Sequence, residues 1–122
     1  MSNLETQILT MSETELDAVP VGIIQLDRNA KILYYNKSQA KFARRTSETT
    51  VGLNFFHDVA PCAAVQAFQG RFDEFVSDST AKLSESFDFV FAFPWGSRKV
   101  AITFVRSGHG SETYFVVVSV AQ

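Results

Sequence analysis

The sequence is short of the residues on which most site chemistry is built. It holds one cysteine and two histidines among 122 residues. A single thiol closes no internal disulfide. One Cys with two scattered His also falls short of the closely spaced ligands that a zinc site requires. Nucleophilic catalysis would want the thiol partnered by a histidine. His57 and His109 instead fall on segments that read as a short turn and a hairpin tip, and no third member of a triad is evident. Charge of one sign is lacking too: Lys plus Arg number 11 against 13 Asp plus Glu, a net −2. That balance argues against an electrostatic footprint for nucleic acid or an acidic membrane, and Arg44-Arg45 is too short to count as a basic patch. Long apolar runs are missing. Tyr114 to Val118 is far short of the ~20 residues of a membrane span. Ser2 to Thr6 is polar and acidic, unlike the basic-then-apolar opening of a secretory leader, so the expected compartment is cytoplasmic.

What the chain has in quantity is phenylalanine. Twelve Phe and a 46% hydrophobic content are ample for one core and enough to line an internal pocket. The length suits one domain. Phe87, Phe89, Phe91 and Phe93 alternate with Asp88, Val90 and Ala92, the signature of a strand with an aromatic face. Phe68, Phe72, Phe75 and Val76 fall at helical spacing, with Gly70 weakening the helix they predict. Val21 to Leu26, turn chemistry at Asp27 to Ala30, and Lys31 to Tyr35 predict a β-hairpin. Asn36 reads as an N-cap, and Gln39 three residues on as the partner in a capping box over Lys37 to about Ala43. Pro94 to Ser97 is a turn, Lys99 to Val105 and Thr113 to Val120 are further strands, and Ser107 to Ser111 joins them. Residues 1–19, apolar at Leu4, Ile8, Leu9, Met11 and Leu16 with a helix start at Ser12, predict a short helical cap with few contacts. Residues 20–122 form the core.

The single thiol lies in Asn54-Phe55-Phe56-His57-Asp58-Val59-Ala60-Pro61-Cys62. Pro61 fixes its own φ and restricts Ala60, so Cys62 is presented at a turn rather than inside a regular element. Two readings stay open on these residues alone. Cys62 is a small core hydrophobe, the commonest fate of an unpaired cysteine, or it is a covalent anchor. In the same way Tyr35 reads as a strand-end core tyrosine and Arg45 as a solvated charge.

That run, with Ile24-Gln25-Leu26-Asp27 and Ile32-Leu33-x-Tyr35-Asn36 upstream, closely resembles the photoactive yellow protein family from about residue 20 onward. The resemblance implies an α+β PAS fold: a five-stranded antiparallel sheet in the order ββααβββ under an N-terminal helical cap. It implies a blue-light sensor rather than an enzyme, with 4-hydroxycinnamic acid (p-coumaric acid) held as a thioester on Cys62. Tyr35 and Gln39 take the positions of the family's two donors to the phenolic oxygen, Arg45 that of its arginine lid, and Phe55, Phe91 and Phe93 positions in the pocket wall. The implied partner is an unidentified downstream signalling protein, and the implied assembly a monomer or weak dimer.

A phenol with a pKa of about 10 needs roughly 4 kcal/mol of help to be an anion at pH 7, and burial raises the requirement, so donors at its oxygen are indispensable. The family pattern has a glutamic acid where this chain has Gln39. An amide donates a hydrogen bond but has no proton to hand over. Ala43 replaces a threonine that supports the tyrosine, and Trp95 falls near a methionine that assists dark recovery. Two other functions fit the residues less well: a PAS interaction or ligand-binding module carrying no chromophore in its host, and an acyl-transfer enzyme using Cys62 without an evident general base.

Overall fold

Strand alternation decides how the chain divides its apolar residues between two faces of one sheet. The computed structural model describes residues 7–77, 83–106 and 113–120. Strands β1 (Gly22–Asp27), β2 (Ile32–Tyr35), β3 (Ser84–Phe93), β4 (Gly96–Arg106) and β5 (Thr113–Val120) form an antiparallel sheet in the order β2-β1-β5-β4-β3. The first and last strands are thus central neighbours, in register from Gly22 opposite Val118 to Asp27 opposite Thr113. In the β1–β2 turn the Asp27 carboxylate accepts from the Asn29 and Lys31 backbone N–H groups, both at 2.9 Å. The turn residues foreseen in the sequence are those found.

Helices α1 (Glu13–Ala18), α2 (Lys37–Ala43), α3 (Ser47–Thr50) and α4 (Arg71–Ser77) are all short. The Ser12 capping box forms: its hydroxyl accepts from Glu15 N–H at 3.2 Å, and the Glu15 carboxylate accepts from Ser12 N–H at 2.8 Å. The capping box expected at α2 does not. Asn36 accepts from the Gln39 N–H, but its own N–H goes to the Ile23 carbonyl, leaving the Gln39 side chain free for another use. The helix expected through Phe68 to Val76 is split into a wide π-type turn, Gln66–Gly70, and α4. The wider turn still buries Phe68 in the same core as Phe72 and Phe75. β4 starts at Gly96, not Lys99, because only Pro94 and Trp95 separate the paired residues Phe93 and Gly96.

On one face Phe87, Phe89 and Phe91 meet Phe68, which also meets Phe104, while Phe93 stacks on Phe91, all beneath the turns and helices of the middle of the chain. On the other, Ile23, Val105, Phe115 and Val117 pack against Ile8, Leu16 and Val19. Ile23 and Ile24 point to opposite faces, as successive strand residues must. The cap therefore has a small core of its own, contrary to the expectation of few contacts: Ile8 is 1% exposed and Leu16 5%. The sequence window missed this because half of that core comes from β1, β4 and β5. Leu4, His109 and the Ser107 to Ser111 connection lie outside the described residues.

Candidate functional site

Cys62 owes its position to a lock three residues deep. Asn54 caps the wide turn Phe55–Val59, its side-chain oxygen accepting from Phe56 and His57 N–H, each at 3.0 Å. Asp58 answers by accepting from Asn54 N–H at 2.9 Å. Pro61 then opens a 3-10 turn, Pro61–Ala63, with the half-buried Cys62 at its centre. Proline suits that first position because its missing N–H would have had no partner within the turn.

The thiol faces a cavity of about 600 Å³ between α2, this turn and the β3–β4 hairpin. The volume lies within the ~300–1,000 Å³ typical of small-molecule sites. Cys62, Tyr35, Gln39, Arg45, Phe55, Phe91 and Phe93, seven candidates scattered over sixty residues of sequence, all line it. The structure brings every one of them together. It adds Arg44, Val59 and Ala60, which the sequence did not mark as site residues, and Trp95, which the resemblance sets near a recovery-assisting methionine.

Tyr35 ends β2 and Gln39 sits in the first turn of α2, 1% and 2% exposed. Neither the Tyr35 hydroxyl nor the Gln39 side-chain oxygen has a hydrogen-bond partner. Buried polar groups are nearly always paired, so two orphan atoms on residues that line one cavity call for an explanation. Their setting supplies part of it. Ala43, lining the same cavity, offers Tyr35 no hydroxyl. The Gln39 oxygen is turned onto Gly22, where a Cβ would collide with it, so the amide nitrogen is the end available to the cavity. Burial pushes the Tyr35 hydroxyl above its ordinary pKa of 10.0, while the nearby Gln39 amide and the Arg45 charge pull it back. The Gln39 influence is one of proximity, since no hydrogen bond closes between them. Tyr35 is therefore a protonated donor at neutral pH.

Arg45 is half-buried and tethered: its Nε donates to the Thr50 hydroxyl at 3.1 Å, which in turn donates to the Thr46 carbonyl at 2.6 Å. No Asp, Glu or His lines the cavity. Groups able to hold a proton there are thus Tyr35, Cys62 and the two arginines. Aromatic walls close the rest: Phe91 stacks on Phe93 with centroids 5.5 Å apart, and Trp95 lies parallel to Phe93 at 4.6 Å. Among the described residues no cluster of His, Cys, Asp and Glu could hold a metal ion, and no helix is long and apolar enough to cross a membrane.

A half-buried thiol, aromatic walls and an unpartnered Tyr35 hydroxyl beside the Gln39 amide suit an acyl group with a planar ring and a polar tip. The residues fit 4-hydroxycinnamic acid.

Comparison with known proteins bears on the same point. Residues 10–120 match the family model of the PAS fold. The chain is 34% identical over 116 residues to a photoactive yellow protein of Halochromatium salexigens, covering 95% of this chain and 90% of that one. It is 32% identical, over the same shares, to one of Rhodothalassium salexigens. The photoactive yellow protein domain of the sensor histidine kinase Ppr from Rhodospirillum centenum superposes with a TM-score of 0.83 at 37% identity, covering 93% of this chain and 97% of that domain. With fold, length and sequence all in agreement, the chain belongs to the photoactive yellow protein family of PAS-fold photoreceptors.

Proposed function

We propose that this protein is a blue-light sensor, not an enzyme, that carries 4-hydroxycinnamic acid as a thioester on Cys62 and signals to a downstream protein through a change of conformation. The observation that carries this reading is the buried Tyr35 hydroxyl, which has no hydrogen-bond partner, beside Gln39 on the wall of the cavity that the lone thiol also lines. When bound, the group supplies a double bond that light isomerises. The chain's residues do the rest. Tyr35 O–H and Gln39 N–H donate to the phenolic oxygen, Arg45 adds a positive charge, and the Phe55, Phe91 and Phe93 walls exclude water. Hydrogen bonds from donors to an oxyanion favour the charged form and offset the burial that opposes it. Gln39 has no proton to release, and no carboxylic acid lines the cavity. A proton delivered to the phenolic oxygen therefore comes from Tyr35 or from water.

Loading the unliganded protein with an activated 4-hydroxycinnamoyl donor tests the proposal. Expected are visible absorbance and a mass gain of one acyl group less the thiol hydrogen, both abolished in Cys62→Ala. A coloured, covalently loaded alanine variant overturns it.

A further inference from the structure

Beside the cavity, and sharing Arg44 and Trp95 with it, runs a second groove of about 450 Å³. Lys41 and Arg44 reach it from α2 and its C-cap, Arg98 from β4. Arg44 adopts a left-handed conformation, φ 57° and ψ 47°, that ends the helix. Its guanidinium carbon then sits 4.1 Å from the centroid of the Trp95 ring, with that of Arg98 at 5.2 Å. Trp95 is the only tryptophan of the chain. None of the three cations makes an ion pair among the described residues, and no carboxylate lines the groove. The cleft that Lys37 of the same helix lines differs, since Glu13, Asp17 and Glu48 line it too. Two guanidinium groups against one aromatic ring, with Lys41 lining the same groove, make a patch of like charges that repel one another. Solvent and salt screen that repulsion in part, and a bound anion offsets it further.

We infer that this groove holds the phosphate-bearing carrier of the activated acyl donor while its acyl end reaches Cys62. The inference rests on the chromophore reading above. A free carboxylic acid does not acylate a thiol at neutral pH, so the acyl group must arrive joined to a leaving group. Acyl phosphates, acyl adenylates and thioesters of phosphorylated thiols share one chemistry, the phosphate. For a thioester donor the exchange balances without oxidant or reductant. Cys62 Sγ, as thiolate, bonds to the carbonyl carbon, the carbon–sulfur bond to the carrier breaks, and the departing thiolate takes up the proton that Cys62 released. Arg44 and Arg98 are suited to phosphate by their planar donors, and Trp95 to any ring the carrier bears.

The test compares two donors on the wild type and on the double variant Lys41→Gln, Arg98→Gln, whose positions are exposed and line only the groove. The donors are the 4-hydroxycinnamoyl thioester of coenzyme A and the uncharged 4-hydroxycinnamoyl imidazolide. The double variant should load from the thioester slower by roughly tenfold or more, the loss expected for charge-assisted contacts, and from the imidazolide at the wild-type rate. Added salt should slow the thioester reaction alone. Equal thioester rates in the two proteins overturn the inference. Trp95 fluorescence reads the groove without any loading: coenzyme A should give a saturable change in the wild type that weakens in the double variant. Competition by inorganic pyrophosphate supports a phosphate site as such; a response to coenzyme A alone extends it to the nucleotide. A response to neither overturns it. Failure of the imidazolide to load the wild type counts against the chromophore reading, leaving the groove to be judged by fluorescence.

Discussion

Asn36 and Gln39 lie within one turn of each other, equally buried, and have opposite fates. The Asn36 side chain makes four hydrogen bonds, accepting from Ile23 and Gln39 N–H and donating to the Leu16 and Val21 carbonyls at 2.8 to 3.0 Å. Gln39 keeps an oxygen with no partner. The first joins the cap, β1 and α2 and asks for nothing more. The second turns that oxygen onto Gly22 and leaves its amide nitrogen to the cavity. A buried polar side chain that is fully paired is part of the fold's fastening, whereas one left unpaired beside empty space marks where something else belongs.

Truncating each residue separates the two roles. Asn36→Ala should be the most damaging, because it strands two carbonyls and two N–H groups in the interior. About 3–5 kcal/mol of stability should be lost in urea denaturation of the unloaded protein. A loss below about 1 kcal/mol would mean that water reaches these groups. Gly22→Ala should cost roughly 1–2 kcal/mol, since its Cβ must push the flexible Gln39 amide toward the cavity. The loaded protein should also change colour, and an unchanged spectrum would place Gln39 away from the phenolic oxygen. Gln39→Leu should leave the unloaded protein as stable as the wild type, or more stable by about 1 kcal/mol, because it removes an orphan acceptor. The same change should destroy or shift the colour of the loaded form.

Gln39→Glu sharpens the comparison further. Buried and therefore protonated, the acid is a stronger donor than an amide. It should shift the dark-state maximum to shorter wavelength and lower the pH at which acid bleaches the colour, because a better donor to the anion depresses its pKa. Spectra and acid titrations of both proteins decide the matter, and coincidence of both properties would refute the pocket assignment.

The smallest effect is expected at alkaline pH. Burial raises Tyr35, and burial with the Asp17 and Glu13 charges raises Tyr34, whose hydroxyl donates to the Glu13 carbonyl at 3.0 Å. Groups raised on folding contribute stability that is whole below their unfolded pKa and fades as pH climbs through the folded one. The unfolding free energy should hold to about pH 10 and fall above it. Replacing Tyr34 or Tyr35 by Phe should flatten the fall, and an undiminished slope in both would contradict the burial argument.

Much of this was legible beforehand. The Phe87 to Phe93 alternation, the Asp27 turn chemistry and the Ser12 helix start are local signals, and local hydrogen bonds realise them. The position of Cys62 behind Pro61 was legible for the same reason. What escaped was whatever depends on distant partners. Gln39 reads as a capping-box residue because the window that contains Asn36 does not contain Ile23, which takes the Asn36 N–H. The cap's core could not be seen without β4 and β5. Arg44-Arg45 is too short for a basic patch along the chain, and only the fold brings Arg98 beside it.

The pairing of β1 with β5 sets a schedule for the protein's manufacture. Gly22 cannot find Val118 until β5 has left the ribosome, and until then β1 and β2 are a lone hairpin, too small to be stable in water. The wall that Tyr35 contributes is thus among the early residues to be synthesised and among the late ones to be fixed. Closure across nearly the whole sequence also slows folding relative to a fold of local contacts. The acylation of Cys62 proposed above would therefore follow the emergence of β5, and a ribosome-bound nascent chain stalled before β5 emerges should remain colourless in the presence of the activated donor.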